Sequence, residues 1–387
     1  MRHTAHMLSP ASDEAYQDQI LPHVSRTFAL TIPELPPALR GAVTNAYLLC
    51  RIADTIEDQT NSSAAARLGL LHRFVAVLAG SEEAGQLVRD LLPRLSENTL
   101  PAERELILNM ERIVRLTDAL EPAQRAALAR CVEVMCDGMH QFQRTASLNG
   151  VARVADLDDY CYYVAGVVGE MLTQLFCTYS PAIERHRVEL EQLGISFAQG
   201  LQMTNILKDV WEDRARGACW LPREVFARHG VDLATLKADA QPPGFAAGMD
   251  ELVAIAHAHL RNALAFTLLL PRTERGIRRF CLWAIGMAVL TLRKIHAHPG
   301  FVSGAQVKIS HGAVYLTTRL SNLAVGEDWL LRRLFGFAAR GLPLAMLRPA
   351  LSPAARRAAA ETAPPDLTHS VTHAAQLDLR REGSSGR

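Results

Sequence analysis

Apolar residues recur at i, i+3, i+4 and i+7 through most of the chain, with Leu and Ala the commonest of them. Period-two alternation, the mark of half-buried strands, is scarce. The pattern predicts helices near 38–58, 64–79, 102–118, 122–146, 156–178, 186–213, 248–270, 274–296 and 326–340. Breaks fall where Pro and Gly gather: "TIPELPP" (31–37), "SLNG" (147–150), "TYSP" (178–181), "QPPG" (241–244) and "HPG" (298–300). No period of about 20–50 residues recurs, which argues against a helical solenoid. No flexible linker divides the middle of the chain. The expectation is therefore one all-α domain over 15–350, a flexible N-terminus over 1–14 and a disordered tail over 351–387, where large apolar residues are few.

Composition narrows the function classes. The 387 residues are 49% hydrophobic and 21% charged, with a formal net charge of +1. That is globular material with no basic excess for nucleic acid, so affinity for phosphate has to be local. The seven cysteines are scattered without a C-x-x-C and read as reduced thiols. The opening "MRHTAHMLSPASDEAYQD" lacks the apolar core of a signal peptide, and "CLWAIGMAVLTL" (281–292) has the length of a buried helix rather than a span. These features predict a cytoplasmic protein that is not integral to a membrane. "DWLLRRLFGFAARGLPLAMLRPAL" (328–351) mixes Arg with Leu and Phe, which suits either a terminal helix docked on the core or a peripheral contact with the inner face of a membrane.

The candidate chemistry lies in a duplicated pattern. "YLLCRIADTIEDQ" (47–59) carries Asp54, Glu57 and Asp58, and "QMTNILKDVWEDR" (202–214) carries Asp209, Glu212 and Asp213. On a helix, i, i+3 and i+4 share a face, so Tyr47, Arg51, Asp54 and Asp58 form one polar line and Gln202, Asn205, Asp209, Glu212 and Asp213 another. A single D-x-x-E-D is ordinarily a solvated helical face. Here the other faces are apolar (Leu48, Leu49 and Ile52; Ile206, Leu207 and Val210), and a carboxylate-rich face turned inward needs cations to neutralise it. Oxygen-only ligands suit Mg2+ shared with substrate phosphates. Zinc and di-iron patterns are missing, and the pairs His257/His259 and His296/His298, spaced i, i+2, are expected to diverge at the surface. Two such stripes facing one cavity fit a substrate bearing diphosphate.

With these residues in view, the chain resembles the squalene/phytoene synthase family of head-to-head prenyl transferases over about residues 20–320. The resemblance rests on "SRTFAL" (25–30), "YLLCRIADTIED" (47–58), "YCYYVAGVVG" (160–169) and "QMTNILKDVWEDRARGACWLP" (202–222). It implies an all-α isoprenoid synthase fold with a large central cavity and aspartate-rich motifs on opposite walls. Position by position, it implies Asp54, Asp58, Asp209 and Asp213 as ligands of diphosphate-bound Mg2+, with Glu57 and Glu212 assisting. Ser25, Arg26, Tyr47, Arg51, Gln202 and Asn205 would contact diphosphate or order the site, and Tyr160 matches the family's catalytic tyrosine. An allylic cation needs walls without nucleophiles, expected from Val164, Val167, Val168, Leu172 and Leu201, with Gly166 and Gly169 leaving room for a long chain. Tyr160, a poor base at an ordinary pKa near 10, would act if Arg51 stabilised its phenolate or if it relayed the proton to released diphosphate. "RARGACW" (214–220) reads as a mobile flap whose Arg214 and Arg216 close over diphosphate, or as a loop with exposed arginines.

Within the family, "DTIED" and "SRTFAL" resemble squalene synthases, and so does a helical region continuing past 290 through "VKISHG" (307–312). The implied activity is Mg2+-dependent condensation of two farnesyl diphosphates through presqualene diphosphate, then NADPH-dependent reduction to squalene, with Lys308 near the dinucleotide. Ser310 and His311 stand where the eukaryotic V-K-I-R-K-G has basic residues, which leaves open an enzyme that stops at presqualene diphosphate or hydroxysqualene. Phytoene synthesis from two geranylgeranyl diphosphates and, in another class, a non-catalytic helical lipid-binding or scaffold protein are the remaining alternatives.

Overall fold

A computed structural model of the chain describes residues 12–347, apart from 26, 60–61 and 144–145, together with Pro353. The expectations for residues 1–11 and for the tail beyond 353 lie outside the described residues. The described residues up to 347 belong to one compact unit. Among them regular structure is helical, and β pairing is limited to two isolated bridges, Val151 with Pro222 and Lys237 with Ala240.

The centre of the bundle is the helix Gly244–Leu269, packed between Arg187–Lys208 and Arg275–Ala297. It is apolar on nearly every side, as a helix surrounded by others must be: Leu252, Val253, Ala256, Leu260 and Ala263 are all at most 2% exposed. Gly244–Leu269 and Arg275–Ala297 have the length and composition to cross a membrane, yet both are mostly buried within the bundle. Pro37–Glu57, Pro122–Gln143 and Val167–Tyr179 complete the wall that faces Arg187–Lys208. The cysteines are free thiols, all buried except the half-buried Cys50.

Several expected elements are interrupted, each for a local reason. The span 102–118 breaks at Asn109 and 186–213 breaks at Asp209, whose backbones (φ −103°, ψ 18° and φ −99°, ψ 17°) leave helical geometry. Asn and Asp side chains compete with the backbone for hydrogen bonds and favour such junctions. The span 156–178 contains a π-helical turn over Tyr162–Gly166 between the α-helices Val154–Cys161 and Val167–Tyr179. Residues 13–14, expected to be flexible, begin a helix Asp13–Val24 that Ser12 caps by accepting the Ala15 N–H. "VKISHG" is not helical throughout. Val307 ends one short helix, and Ser310 caps the next, His311–Ala324, by accepting the Ala313 N–H at 3.2 Å.

The expectation that His257 and His259 lie at the surface is overturned. Both are buried, because the helix that carries them is surrounded. His257 Nδ1 lies 2.8 Å from the Pro343 carbonyl oxygen, and His259 Nδ1 lies 2.8 Å from Ser196 Oγ. Burial pushes the His259 imidazole down to about 4. His298 is exposed, as expected, and His296 is half-buried beside Asp250.

The terminal helix Asp328–Ala338 docks by one edge. Leu331 is buried, and Asp328 accepts hydrogen bonds from the fully buried Arg278 and from Arg272, at 2.5 and 2.8 Å. Its other side is exposed among the described residues. Trp329 and Phe337, with Leu316 and Leu323 of the adjoining helix His311–Ala324, are all more than half exposed. Arg319, Arg332 and Arg333 lie in the same two helices and Arg340 in the turn that follows, all exposed.

Candidate active site

A cavity of about 610 Å³ opens between Pro37–Glu57, the π-turn and Val167–Tyr179, Arg187–Lys208 and Arg275–Ala297. Its size falls in the range of small-molecule pockets, about 300–1,000 Å³. Its depth is apolar, with Met135, Leu172, Phe176, Phe197, Phe266 and Phe280 among the lining, while Ser25, Tyr47, Arg51, Asp54, Gln202 and Asn205 make up a polar part. Val164, Val168 and Leu201 line it as expected. Val167 does not: it is 1% exposed and packs into the core. Gly169 reaches the cavity, but a Cβ there would overlap the Gly194 carbonyl of the facing helix, and one at Gly166 would press on the Tyr162 ring. These glycines set helix packing before they make room for any ligand.

The first stripe forms because Pro37–Glu57 buries Leu48, Leu49 and Ile52 completely and turns its remaining face to the cavity. A chain of contacts fixes that face. Tyr47 donates its hydroxyl to the Val24 carbonyl at 2.9 Å and accepts from Arg51 Nη2 at 3.1 Å. Arg51 also lies 3.7 Å from Asp54 and 3.8 Å from Glu103. Its Nε is buried with no hydrogen-bond partner among the described residues, a donor left for an anion. Asp54 is pushed up to about 6. Desolvation raises it most, Arg51 pulls it back, and the carboxylates of Asp58 and Glu103 raise it again. Asp58 caps the C-terminus of the helix and is raised by desolvation against the pull of Arg216 and Arg51. Ser25 Oγ accepts the Phe28 N–H at 3.1 Å at the cavity edge. Arg26 lies outside the described residues.

The second stripe straddles the break at Asp209, so its members diverge more than a continuous helix would allow. Gln202 and Asn205 line the cavity from Arg187–Lys208. Asp209, at the junction, pairs with Lys208 at 3.0 Å. Asp213 accepts from Arg216 Nη2 at 2.6 Å, and desolvation, opposed by Arg216, raises its pKa. Arg216 also feels Asp58 and Asp209, so one guanidinium stands within electrostatic reach of both stripes. Two expected residues point elsewhere. Glu212 is exposed and accepts the Gly304 N–H at 2.8 Å, since the helix Val210–Ala215 starts afresh and turns it outward. Arg214 is committed to the Leu148 and Leu236 carbonyls at 3.1 and 2.7 Å, holding the start of the flap rather than closing over the cavity.

Tyr160 lies where the stripes converge. Its hydroxyl is pushed well above the ordinary tyrosine value by burial first, then by Glu57, Cys161, Asp213 and Asp54. Carboxylates of both stripes thus add to that rise, while Arg51 is engaged with Tyr47, Asp54 and Glu103. Trp220, from the flap, stacks on Tyr160 with centroids 3.9 Å apart and planes 8° from parallel. Sequence reasoning missed Trp220 and Glu103. Trp220 is quoted inside a recognisable block but looks like any aromatic, and Leu100-Pro101-x-Glu103 reads only as a helix start.

Among the described residues no group of three or more His, Cys, Asp and Glu side chains is placed to hold a metal ion by itself. Carboxylates with only oxygen donors, of which Asp54, Asp58 and Asp213 are raised in pKa chiefly by desolvation and the last two opposed by Arg216, do fit a divalent ion that completes its shell with water and phosphate. For a dinucleotide the fit is poor. Lys308 is exposed and outside the cavity lining, its carbonyl accepts from Lys294 at 2.6 Å, and Ser310 is occupied as a cap.

Comparison with known proteins adds a lineage. The squalene/phytoene synthase family model matches residues 21–313. A squalene synthase from Saccharomyces cerevisiae is 32% identical over 302 residues, 76% of this chain and 64% of its own length. One from Eremothecium gossypii is 30% identical over 303 residues, with the same coverage. The chain therefore spans under two thirds of the length of these curated relatives. The solved structure of TcSQS with the ligand BPH1237 superposes with a TM-score of 0.67 at 24% identity, covering 85% of this chain and 98% of that one, which speaks to the fold.

Proposed function

Since this chain belongs to the squalene/phytoene synthase family, we propose that it is a squalene synthase, joining two farnesyl diphosphates head to head into presqualene diphosphate and reducing that with NADPH to squalene. The observation that carries the reading is the pair of acidic stripes within reach of one guanidinium, Arg216, beside an apolar cavity with a polar edge. Asp54, Asp58, Asp209 and Asp213 would hold Mg2+, which supplies Lewis acidity toward the diphosphate oxygens when bound. Arg51, with its spare Nε donor, binds and orients the leaving diphosphate so that the allylic C–O bond ionises. Val164, Val168, Leu172 and the phenylalanines of the cavity exclude water from the resulting cation. Tyr160, held protonated by burial first and then by the nearby carboxylates, donates a hydrogen bond to diphosphate. As the cyclopropane closes, it gives its hydroxyl proton to the released diphosphate and takes up the proton lost from carbon, ending protonated as it began.

Lys308 is exposed away from the cavity lining and Ser310 is taken up as a helix cap, a poor fit to NADPH. That observation favours a second reading, in which the product is presqualene diphosphate or a water-quenched alcohol. The assay that separates the readings gives the purified protein farnesyl diphosphate and Mg2+ with and without NADPH. A C30 hydrocarbon only with NADPH is expected. Presqualene diphosphate or hydroxysqualene in both arms selects the second reading, and a C40 product from geranylgeranyl diphosphate selects phytoene synthesis. No turnover of either substrate overturns the enzyme. The place of action we propose is the cytoplasm, peripheral to the membrane that receives the hydrocarbon.

A further inference from the structure

We propose that Gly304 is a positioning residue for the second acidic stripe: a bare Cα at this point lets the segment 301–307 rest against Asp209 and Glu212 and hold both carboxylates in place. The inference deepens the reading of that stripe as a Mg2+–diphosphate site and rests on it. A Cβ built on Gly304 would lie 2.9 Å from Asp209 Oδ1, 3.0 Å from the Lys208 carbonyl oxygen and 3.4 Å from Glu212 Oε1. Contacts under 3.0 Å to a real Cβ do not occur without movement. Gly304 is not in the left-handed region, so space and not backbone strain is what the missing side chain provides.

What moves on adding a methyl decides the effect. The segment cannot easily back away. Trp211 Nε1 and Gln241 Nε2 both donate to the Phe301 carbonyl, at 2.7 and 2.9 Å, and Phe301 and Val307 are buried. The Lys208 carbonyl belongs to the end of a long packed helix. The groups left free to give are the two carboxylates. Glu212 is held by the Gly304 N–H itself, through a hydrogen bond to a charged acceptor. Two residues of the stripe, Asp209 and the outward-turned Glu212, and the neighbouring Trp211 therefore all meet one short segment distant in sequence.

The test is Mg2+ titration in the presence of inorganic diphosphate, read by thermal shift on the full chain, for wild type, Gly304→Ala and Gly300→Ala. A Cβ at Gly300 meets nothing within 4 Å, so it serves as the control. The expected result is a half-saturating Mg2+ concentration raised about tenfold in Gly304→Ala, equivalent to ~1.4 kcal/mol, with the control unchanged. In turnover, the apparent KM for the prenyl diphosphate should rise at low Mg2+ and recover at high Mg2+, which a merely loosened fold would not do. Trp211→Phe adds no atom and removes one of the two hydrogen bonds to the Phe301 carbonyl, so a smaller shift in the same direction is expected there even if Gly304→Ala does not fold. A wild-type Mg2+ curve in whichever of these two variants folds overturns the positioning role. Absence of any Mg2+–diphosphate stabilisation in the wild type overturns instead the reading of the stripe.

Discussion

Asp54 couples function to stability at a single side chain. Its pKa of about 6 in the fold exceeds its ordinary 3.8, so between those values the folded state binds more protons than the unfolded one. On this group's account, metal-free protein loses stability as pH rises from about 4 to 6, and the ionised carboxylate remains a burden at neutral pH until a cation arrives. Asp54→Asn is therefore expected to raise the metal-free melting temperature at pH 7 while abolishing turnover and the gain from Mg2+ plus diphosphate. A lower melting temperature with activity retained would return Asp54 to a solvated face. His259 works in the opposite sense. Its pKa falls from 6.5 to about 4, so it adds stability above about 6.5 that is lost as pH drops toward 4. Asp54 and Arg51 were legible in the sequence because spacing and residue type mark them, and Tyr160 through the family resemblance. Glu103 and Trp220 were not, since each meets the site only through a contact made by a different helix or loop.

Helix junctions decide where the marked residues end up. The break at Asp209 sends Glu212 outward, and the π-turn at Tyr162–Gly166 inserts an irregular turn two residues after Tyr160 in its helix, a feature often found at functional sites. Periodicity predicted the existence of most long helices but not these interruptions, because a single non-helical residue hardly alters an apolar pattern. The terminal helix shows how few contacts hold an element. Asp328 is its only ion-pair acceptor among the described residues and neutralises a guanidinium that is 0% exposed. Burial raises the Asp328 pKa, but its hydrogen bonds to Arg278 and Arg272 outweigh that and leave it lowered. Its contribution is thus present above about pH 4 and fades in stronger acid. Asp328→Ala strands Arg278 and is expected to cost about 3 kcal/mol in urea denaturation at pH 7. A change under about 0.5 kcal/mol, ordinary for surface substitutions, would mean that Arg278 finds another partner.

Among the described residues, a greasy interior cavity coexists with an exposed apolar face over 315–346, where Leu316, Leu323, Trp329 and Phe337 stand among four arginines. A face of this kind suits an anionic bilayer, which is where the proposed product partitions. The full chain is expected to float with phosphatidylglycerol vesicles and much less with phosphatidylcholine. Replacing Trp329 and Phe337 with Ser should cut that binding severalfold and leave turnover of detergent-dispersed substrate intact. Equal flotation of wild type and variant would assign the face to another role.

Local chemistry determined the helical class, the two acidic stripes and the family resemblance. Each of these depends on residues near one another along the chain, where periodicity and spacing act. Tertiary structure alone decided that Arg216 stands within reach of both stripes, that Tyr160 sits among their carboxylates, that His257 and His259 are interior, and that Gly304 abuts Asp209. Such meetings join segments tens to hundreds of residues apart, and long-range packing, which no local pattern encodes, selects them.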